Sequence, residues 1–193
     1  MAKEPGKKLQ KLAQLLFREA YQVNQKHPFT LSSGKKSPIF LDCARVFRTP
    51  RGSHLIGDII YGRLLPSINL IGGPSTGADP IAAAVTNYRN QITPVSWFSV
   101  RKLPKQDGSW IEGPGDEDIG RVCAIEDVIT TGISMINAIG RMFDEKMNVK
   151  QAIVIVDREE FGARNMVEHF CLANKVAFSS ILRISEMEAL SRG

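Results

Sequence analysis

The sequence predicts an α/β protein built on an open, mainly parallel sheet with helices on both faces. Three observations carry this. Short, nearly unbroken apolar runs recur at residues 68–71, 94–100, 122–125 and 152–156, and a fifth lies at 176–182. Helical patterns separate some of them. Each of the first four runs ends in polar residues: GGPSTGADP, then Arg101 and Lys102, then Glu126, Asp127 and TTG, then Asp157 and Arg158. Such runs read as strands buried on both faces. The carboxyl edge of such a sheet is where ligands bind.

The elements follow in order. Residues 7–26 place Leu9, Leu12, Ala13, Leu16 and Ala20 on one helical face, and Pro28 ends the pattern. Two extended pieces, FTL and PIFLD, flank SSGKKS, and a helical stretch covers about 49–65. Helices are expected within 76–88, which is alanine-rich, and 134–147, where Ile136, Ile139 and Phe143 share a face. The run at 176–182 adds an outer strand. Trp97 and Phe98 fall inside a strand and are expected in the core. Residues 103–119 form a long polar stretch that follows Arg101 and Lys102, contains Lys105, and ends at Asp116, Glu117 and Asp118. A loop of this length within one domain is expected to close over a site, with Trp110 packing on closure. The whole chain, 1–193, reads as one domain: a core sheet over about 66–183, with a helix and a small N-terminal hood over about 1–45.

Composition narrows the class. At 43% hydrophobic residues the chain is too apolar for a disordered protein. No apolar run approaches the ~20 residues of a membrane span, and the N-terminus has no apolar signal core. Cys43, Cys123 and Cys171 form no CxxC pair and are expected as buried free thiols of a cytoplasmic protein. His27, His54 and His169 are scattered, so no metal site built from protein ligands alone is expected. The net charge of +5 suits an anionic small substrate as well as it suits nucleic acid. Basic and aromatic residues do not interleave, so neither nucleic acid nor membrane is expected as a partner.

The most informative segment is VCAIEDVITTGIS, residues 122–134. A buried strand ends in Glu126 and Asp127, a Thr-Thr-Gly turn follows, and a helix begins. Unpaired N–H groups at a helix start bind anions. Thr130, Thr131 and Ser134 add hydroxyls there, and Gly132 lets the backbone approach closely. Carboxylates beside a phosphate site accept hydrogen bonds from sugar hydroxyls. The turn is therefore suited to a sugar phosphate. Neither SSGKKS nor GGPSTG fits the other common phosphate-loop patterns.

This segment resembles the phosphoribosyl-pyrophosphate motif of the type I phosphoribosyltransferases. Four more segments resemble, in order, those of the orotate phosphoribosyltransferase family: FTLSSGKKSPIF, GGPSTGADPIAAA, VRKLPKQDGSWIEGP and VDREE. The resemblance spans roughly residues 28–162. It implies transfer of phosphoribosyl from 5-phosphoribosyl 1-diphosphate to orotate, giving orotidine 5′-phosphate and diphosphate in pyrimidine biosynthesis. It further implies that Glu126 and Asp127 hold the ribose hydroxyls and that Val128, Ile129, Thr130, Thr131, Gly132, Ile133 and Ser134 hold the 5′-phosphate. Ser75, Thr76 and Gly77 would face the diphosphate, with Arg101, Lys102, Lys105 and Asp107 of the catalytic loop. Arg101, Lys102, Lys105 and Asp127 would be the catalytic group. Thr130, Arg158 and Phe40 would meet orotate, Arg158 through its carboxylate. Mg2+ would arrive with the diphosphate, and a homodimer would share its loops between sites.

The sequence departs from the family pattern where Lys105-Gln106-Asp107-Gly108 replaces Lys-x-His-Gly, and at Ser32 and Thr76, where some members carry Lys. Asp107 leaves open a weakened enzyme. A transferase for another base, or a regulator on the same fold that senses phosphoribosyl pyrophosphate, would share the motif. Arg158 argues against the first, since a purine has no carboxylate. The absence of an added DNA-binding module argues against the second.

Overall fold

The computed structural model describes residues 6–31, 34–113 and 120–192. Helix α1 (Lys7–Glu19) buries Leu12, Ala13, Leu15 and Leu16 along one stripe. It stops well before residue 26, where the apolar spacing alone would take it. Tyr21–Val23 instead forms strand β1, paired antiparallel with β4 (Ile39–Leu41). Aromatic and β-branched residues that gain a ladder partner leave the helix. Strands β2 (Phe29–Thr30) and β3 (Lys36–Ser37) form a second small ladder, and the two ladders make the hood. Ser32 lies outside the described residues.

A four-residue helix, α2 (Ala44–Phe47), precedes α3 (Pro50–Tyr61). Thr49 caps α3, its hydroxyl accepting from the Gly52 N–H at 3.1 Å, and Pro50 fills the first turn.

Six strands form the main sheet: β5 (Ile68–Pro74), β6 (Ser96–Val100), β7 (Ile111–Glu112), β8 (Arg121–Ile129), β9 (Asn148–Asp157) and β10 (Ala177–Arg183). Their spatial order is β10-β9-β8-β5-β6-β7. All neighbours are parallel except β7, which runs antiparallel to β6. The expected outer strand is therefore the edge strand β10. Helices α4 (Asp79–Thr86), α5 (Ile133–Asp144), α6 (Ala163–Ala173) and α7 (Ile184–Ser191) complete the chain.

Strand alternation divides the core in two. Ile153 and Ile155 of β9 pack with α1, α3, α4 and α7, while Ala152 and Val154 pack with α5 and α6. Successive side chains face opposite sides, so both faces must be apolar. The same rule corrects one expectation. Phe98 is 1% exposed, but its strand neighbour Trp97 is 37% exposed.

The stretch after β6 also differs from a plain loop. Its first part is a hairpin flap, with Arg101 N–H donating to Trp110 O at 2.9 Å and Lys105 N–H to Ser109 O at 2.8 Å. The acidic residues Asp116, Glu117 and Asp118 lie outside the described residues.

The sheet changes direction between β5 and β8. The chain leaves β5 through α4 toward β6, and leaves β8 through α5 toward β9. The carboxyl ends of β5 and β8 thus open a crevice, the place where open α/β sheets bind ligands.

Candidate active site at the sheet switch point

Strand β8 delivers Glu126 and Asp127 to this crevice. Gly132 then turns the chain at φ +77°, and α5 starts at Ile133, so that Gly132 and Ser134, at the helix start with its unpaired N–H groups, line the crevice. Gly132 serves twice, because a Cβ there would also lie 2.7 Å from Val167 Cγ2. Across the crevice, β5 leads into Ser75, Thr76 and Gly77, and the Ser75–Thr76 peptide is cis. Gly77 is required by close approach: a Cβ there would lie 2.6 Å from Asp127 Oδ1.

The crevice has two lobes. One, about 280 Å³, is lined by Thr30, Leu31, Phe40 and Leu41 of the hood, the 128–132 turn, and Arg158. The other, about 480 Å³, is lined by Asp42, Ser75, Thr76, Gly77, Arg101, Lys102, Asn137 and Arg141. Glu126, Asp127 and Ser134 line both. The acids therefore stand where the lobes meet.

Their electrostatics suit a wall that awaits donors. Burial pushes the Glu126 carboxyl well above the ordinary carboxylate range, and the Asp127 charge pushes it further. Its Oε2 is buried without a hydrogen-bond partner among the described residues. Burial also raises Asp127 to about 6, against the Val128 N–H that donates to its Oδ1 at 2.9 Å. Hydroxyl donors or a cation at this point would stabilise both carboxylates.

Arg158 is 3% exposed. Its Nη2 donates to Ser37 Oγ at 2.6 Å, Ile39 O at 2.6 Å and Glu160 Oε1 at 3.0 Å, and its Nη1 reaches Thr130 Oγ1 at 3.4 Å. The guanidinium is thus held rigidly at the lobe wall. Its Nε is buried without a partner among the described residues, which leaves capacity for an anion.

The structure gathers most of the residues singled out from the sequence: Glu126 to Gly132, Ser134, Phe40 and Arg158 around one lobe, Ser75 to Gly77, Arg101 and Lys102 around the other. Ile133 opens α5 with its side chain half exposed and lines neither lobe. Lys105 and Asp107 also line neither. Both sit exposed at the flap tip, where Asp107 Oδ1 accepts from the Ser109 N–H at 2.9 Å. Trp110 already packs in this structure, against Arg141. Asp157 is fully buried at the sheet edge, accepting from the Glu159 N–H at 2.9 Å and pairing with Arg164 at 3.3 Å. Cys43, Cys123 and Cys171 are free and buried. Among the described residues, no helix is long and apolar enough to cross a membrane.

Sequence reasoning missed Asn137 and Arg141, although they lie three and seven residues after Ser134 and so continue its helical face. It also missed Glu112, which pairs with Arg101 at 2.5 Å, and Glu160 and Ser37, which hold Arg158. Those contacts arise from packing between distant segments and leave no local signal.

A mainly parallel sheet with this strand order, whose switch-point crevice joins two acids to a Thr-Thr-Gly helix start, defines a type I phosphoribosyltransferase. No family model matches the chain. It is nonetheless 36% identical over 183 residues to the orotate phosphoribosyltransferase of Thermosynechococcus vestitus, covering 93% of each chain. It is 34% identical over 186 residues to that of Aquifex aeolicus, covering 92% of this chain and 96% of the relative. The crystal structure of Mycobacterium tuberculosis orotate phosphoribosyltransferase in complex with 5-phospho-α-D-ribosyl 1-diphosphate superposes with a TM-score of 0.72 at 26% identity, covering 95% of this chain and 93% of that one. The chain belongs to the orotate phosphoribosyltransferase family.

Proposed function

We propose that this chain transfers the phosphoribosyl group of 5-phosphoribosyl 1-diphosphate to orotate, forming orotidine 5′-phosphate and diphosphate. The observation that carries the reading is the two-lobed crevice with Glu126 and Asp127 at the junction. In it the ribose sits against the two acids. The 5′-phosphate rests on the 128–134 turn and helix start, orotate lies beside Arg158, Thr130 and Phe40, and the diphosphate occupies the lobe of Ser75, Thr76, Gly77, Arg101 and Lys102.

The chemistry needs no protein nucleophile. The orotate ring nitrogen gives up its proton to the medium and forms a bond to the anomeric carbon while the carbon–oxygen bond to diphosphate breaks, and that electron pair leaves with the diphosphate. Positive charge develops on the ribose ring, beside Glu126 and Asp127. Negative charge grows on the leaving group, beside Arg101 and Lys102. Groups fixed before the reaction stabilise both charges without reorganising.

Mg2+ fits this donor set as a passenger of the substrate. Among the described residues no cluster of three or more potential ligands exists, while Glu126 Oε2 is an orphaned buried oxygen near the ribose position. When bound, the ion neutralises charge on the diphosphate. Lys105, at the tip of the flap, acts from one protomer on the crevice of a dimer partner. The buried free thiols suit a reducing cytoplasm.

The test is a base panel with phosphoribosyl pyrophosphate and Mg2+. Orotate should be consumed with equimolar diphosphate. Uracil, which lacks the carboxylate, should react at least ~100-fold more slowly because the buried Arg158 Nε is left without an acceptor. Comparable rates for uracil and orotate, or a preference for adenine or hypoxanthine, would refute the assignment.

A further inference from the structure

One side chain of α5 and the residue that caps its C-terminus fasten the flap to the body of the protein. Arg141 Nη1 donates to the Arg101 carbonyl at 2.7 Å, and its guanidinium stacks 3.8 Å from the centre of the Trp110 ring. One helical turn later, Glu145 Oε1 accepts from the Trp110 N–H at 3.0 Å. Arg101 and Trp110 are themselves partners across the flap, joined by the Arg101 N–H to Trp110 O bond of 2.9 Å. The fastening therefore grips both strands of the flap at one level.

Arg141 also lines the larger lobe of the crevice. Its charge there is free. Arg101 is paired with Glu112, but Arg141 has no carboxylate within ion-pair distance among the described residues. The geometry of a guanidinium lets one group serve two partners. Its face stacks on an aromatic ring while its edge carries five N–H donors, of which one is given to Arg101.

We infer that Arg141 is a positioning residue that couples diphosphate in the larger lobe to docking of the flap on α5. An anion bound to the free edge of the guanidinium fixes its plane. That plane sets the Trp110 ring and the Arg101 carbonyl, and with them the root of the segment that carries Lys102 and Lys105. Linkage makes the effect reciprocal: a docked flap binds diphosphate more tightly than a loose one. The inference rests on the assignment of this lobe to diphosphate.

Trp110 itself reports the coupling, because the chain has 2 tryptophans. The full chain carrying Trp97→Phe is titrated with Mg2+ and inorganic diphosphate while Trp110 emission is followed, and steady-state constants are measured beside it. The same is done with Arg141→Met and Arg141→Lys added. Saturable change of Trp110 emission is expected in the parent. Arg141→Met should abolish that change and weaken diphosphate and phosphoribosyl pyrophosphate about 10-fold, with the KM for orotate within about twofold. Arg141→Lys, which keeps the charge but not the planar stack, should recover most of the affinity and little of the emission change. A role in stability alone would move neither the emission response nor the ratio of the two KM values. Unchanged emission response and unchanged affinity in Arg141→Met would overturn the coupling while leaving the lobe assignment intact. Failure of the parent itself to bind diphosphate would overturn both.

Discussion

Replacing Asp127 with asparagine should stabilise the ligand-free protein and disable its reaction. The carboxyl is raised from 3.8 to about 6, chiefly by burial. A shift of about 2 units corresponds to about 3 kcal/mol between protonation states. Asp127 keeps partial contact with solvent and titrates beside Glu126, so we take about 1–2 kcal/mol as the recoverable part. Asparagine retains the Oδ1 that accepts the Val128 N–H, so the local backbone has no reason to move. The folded-state value lies above the unfolded one, so the folded chain holds the proton more tightly. The cost of the charge is absent below about pH 4, grows between about pH 4 and 6, and is complete above that. Thermal unfolding of wild type and variant from pH 4 to 8 should therefore show nearly equal Tm at the acid end and a variant higher by about 2–8 °C at the neutral end. In the same samples kcat/KM for phosphoribosyl pyrophosphate should fall about 10- to 150-fold, the worth of a charge-assisted hydrogen bond. Equal Tm throughout, or a gap that widens as pH falls, would refute the electrostatic reasoning. Wild-type kinetics in the folded variant would remove Asp127 from the site.

Gly77→Ala should raise the KM for phosphoribosyl pyrophosphate about 10-fold or more, because its Cβ would crowd Asp127 Oδ1 from 2.6 Å; a variant with wild-type kinetics would show that Asp127 has room to yield. The placement of Lys105 at an exposed flap tip predicts sites shared between protomers. When Asp127→Asn and Lys105→Ala subunits are exchanged, about half of the dimers are mixed and about a quarter of all sites are intact, so activity should recover toward that level. Verified mixed dimers without recovery would mean that each site uses its own flap.

How much was legible in the sequence depended on how local the signal was. The segment from Val122 to Ser134 is one strand, one turn and one helix start. Its pattern, its chemistry and its place in the fold coincide, and the structure puts both acids at the switch point. The buried strands were legible for the same reason, since β8 and β9 are apolar on both faces. The end of α1 was not, because Tyr21–Val23 is decided by pairing with Ile39–Leu41, remote in sequence. The helices α2, α6 and α7 were also passed over. At the site, the hidden part consists of partners brought in by packing: Ser37 and Glu160 on Arg158, Glu112 on Arg101, Arg141 on the flap. Asp107 is instructive. Its place in the loop sets an anion where diphosphate is expected, yet that carboxylate is engaged in a turn with the Ser109 amide. Residue type announced the anion site, and tertiary contacts decided which charges are free to serve it.

The most direct measurement of the account is a crystal structure of this chain with orotidine 5′-phosphate. The phosphate should lie on the backbone amides of residues 129–134, both ribose hydroxyls within hydrogen-bond distance of Glu126 and Asp127, and the base carboxylate on Arg158. A phosphate seated instead on Ser75–Gly77, or a base carboxylate remote from Arg158, would contradict it.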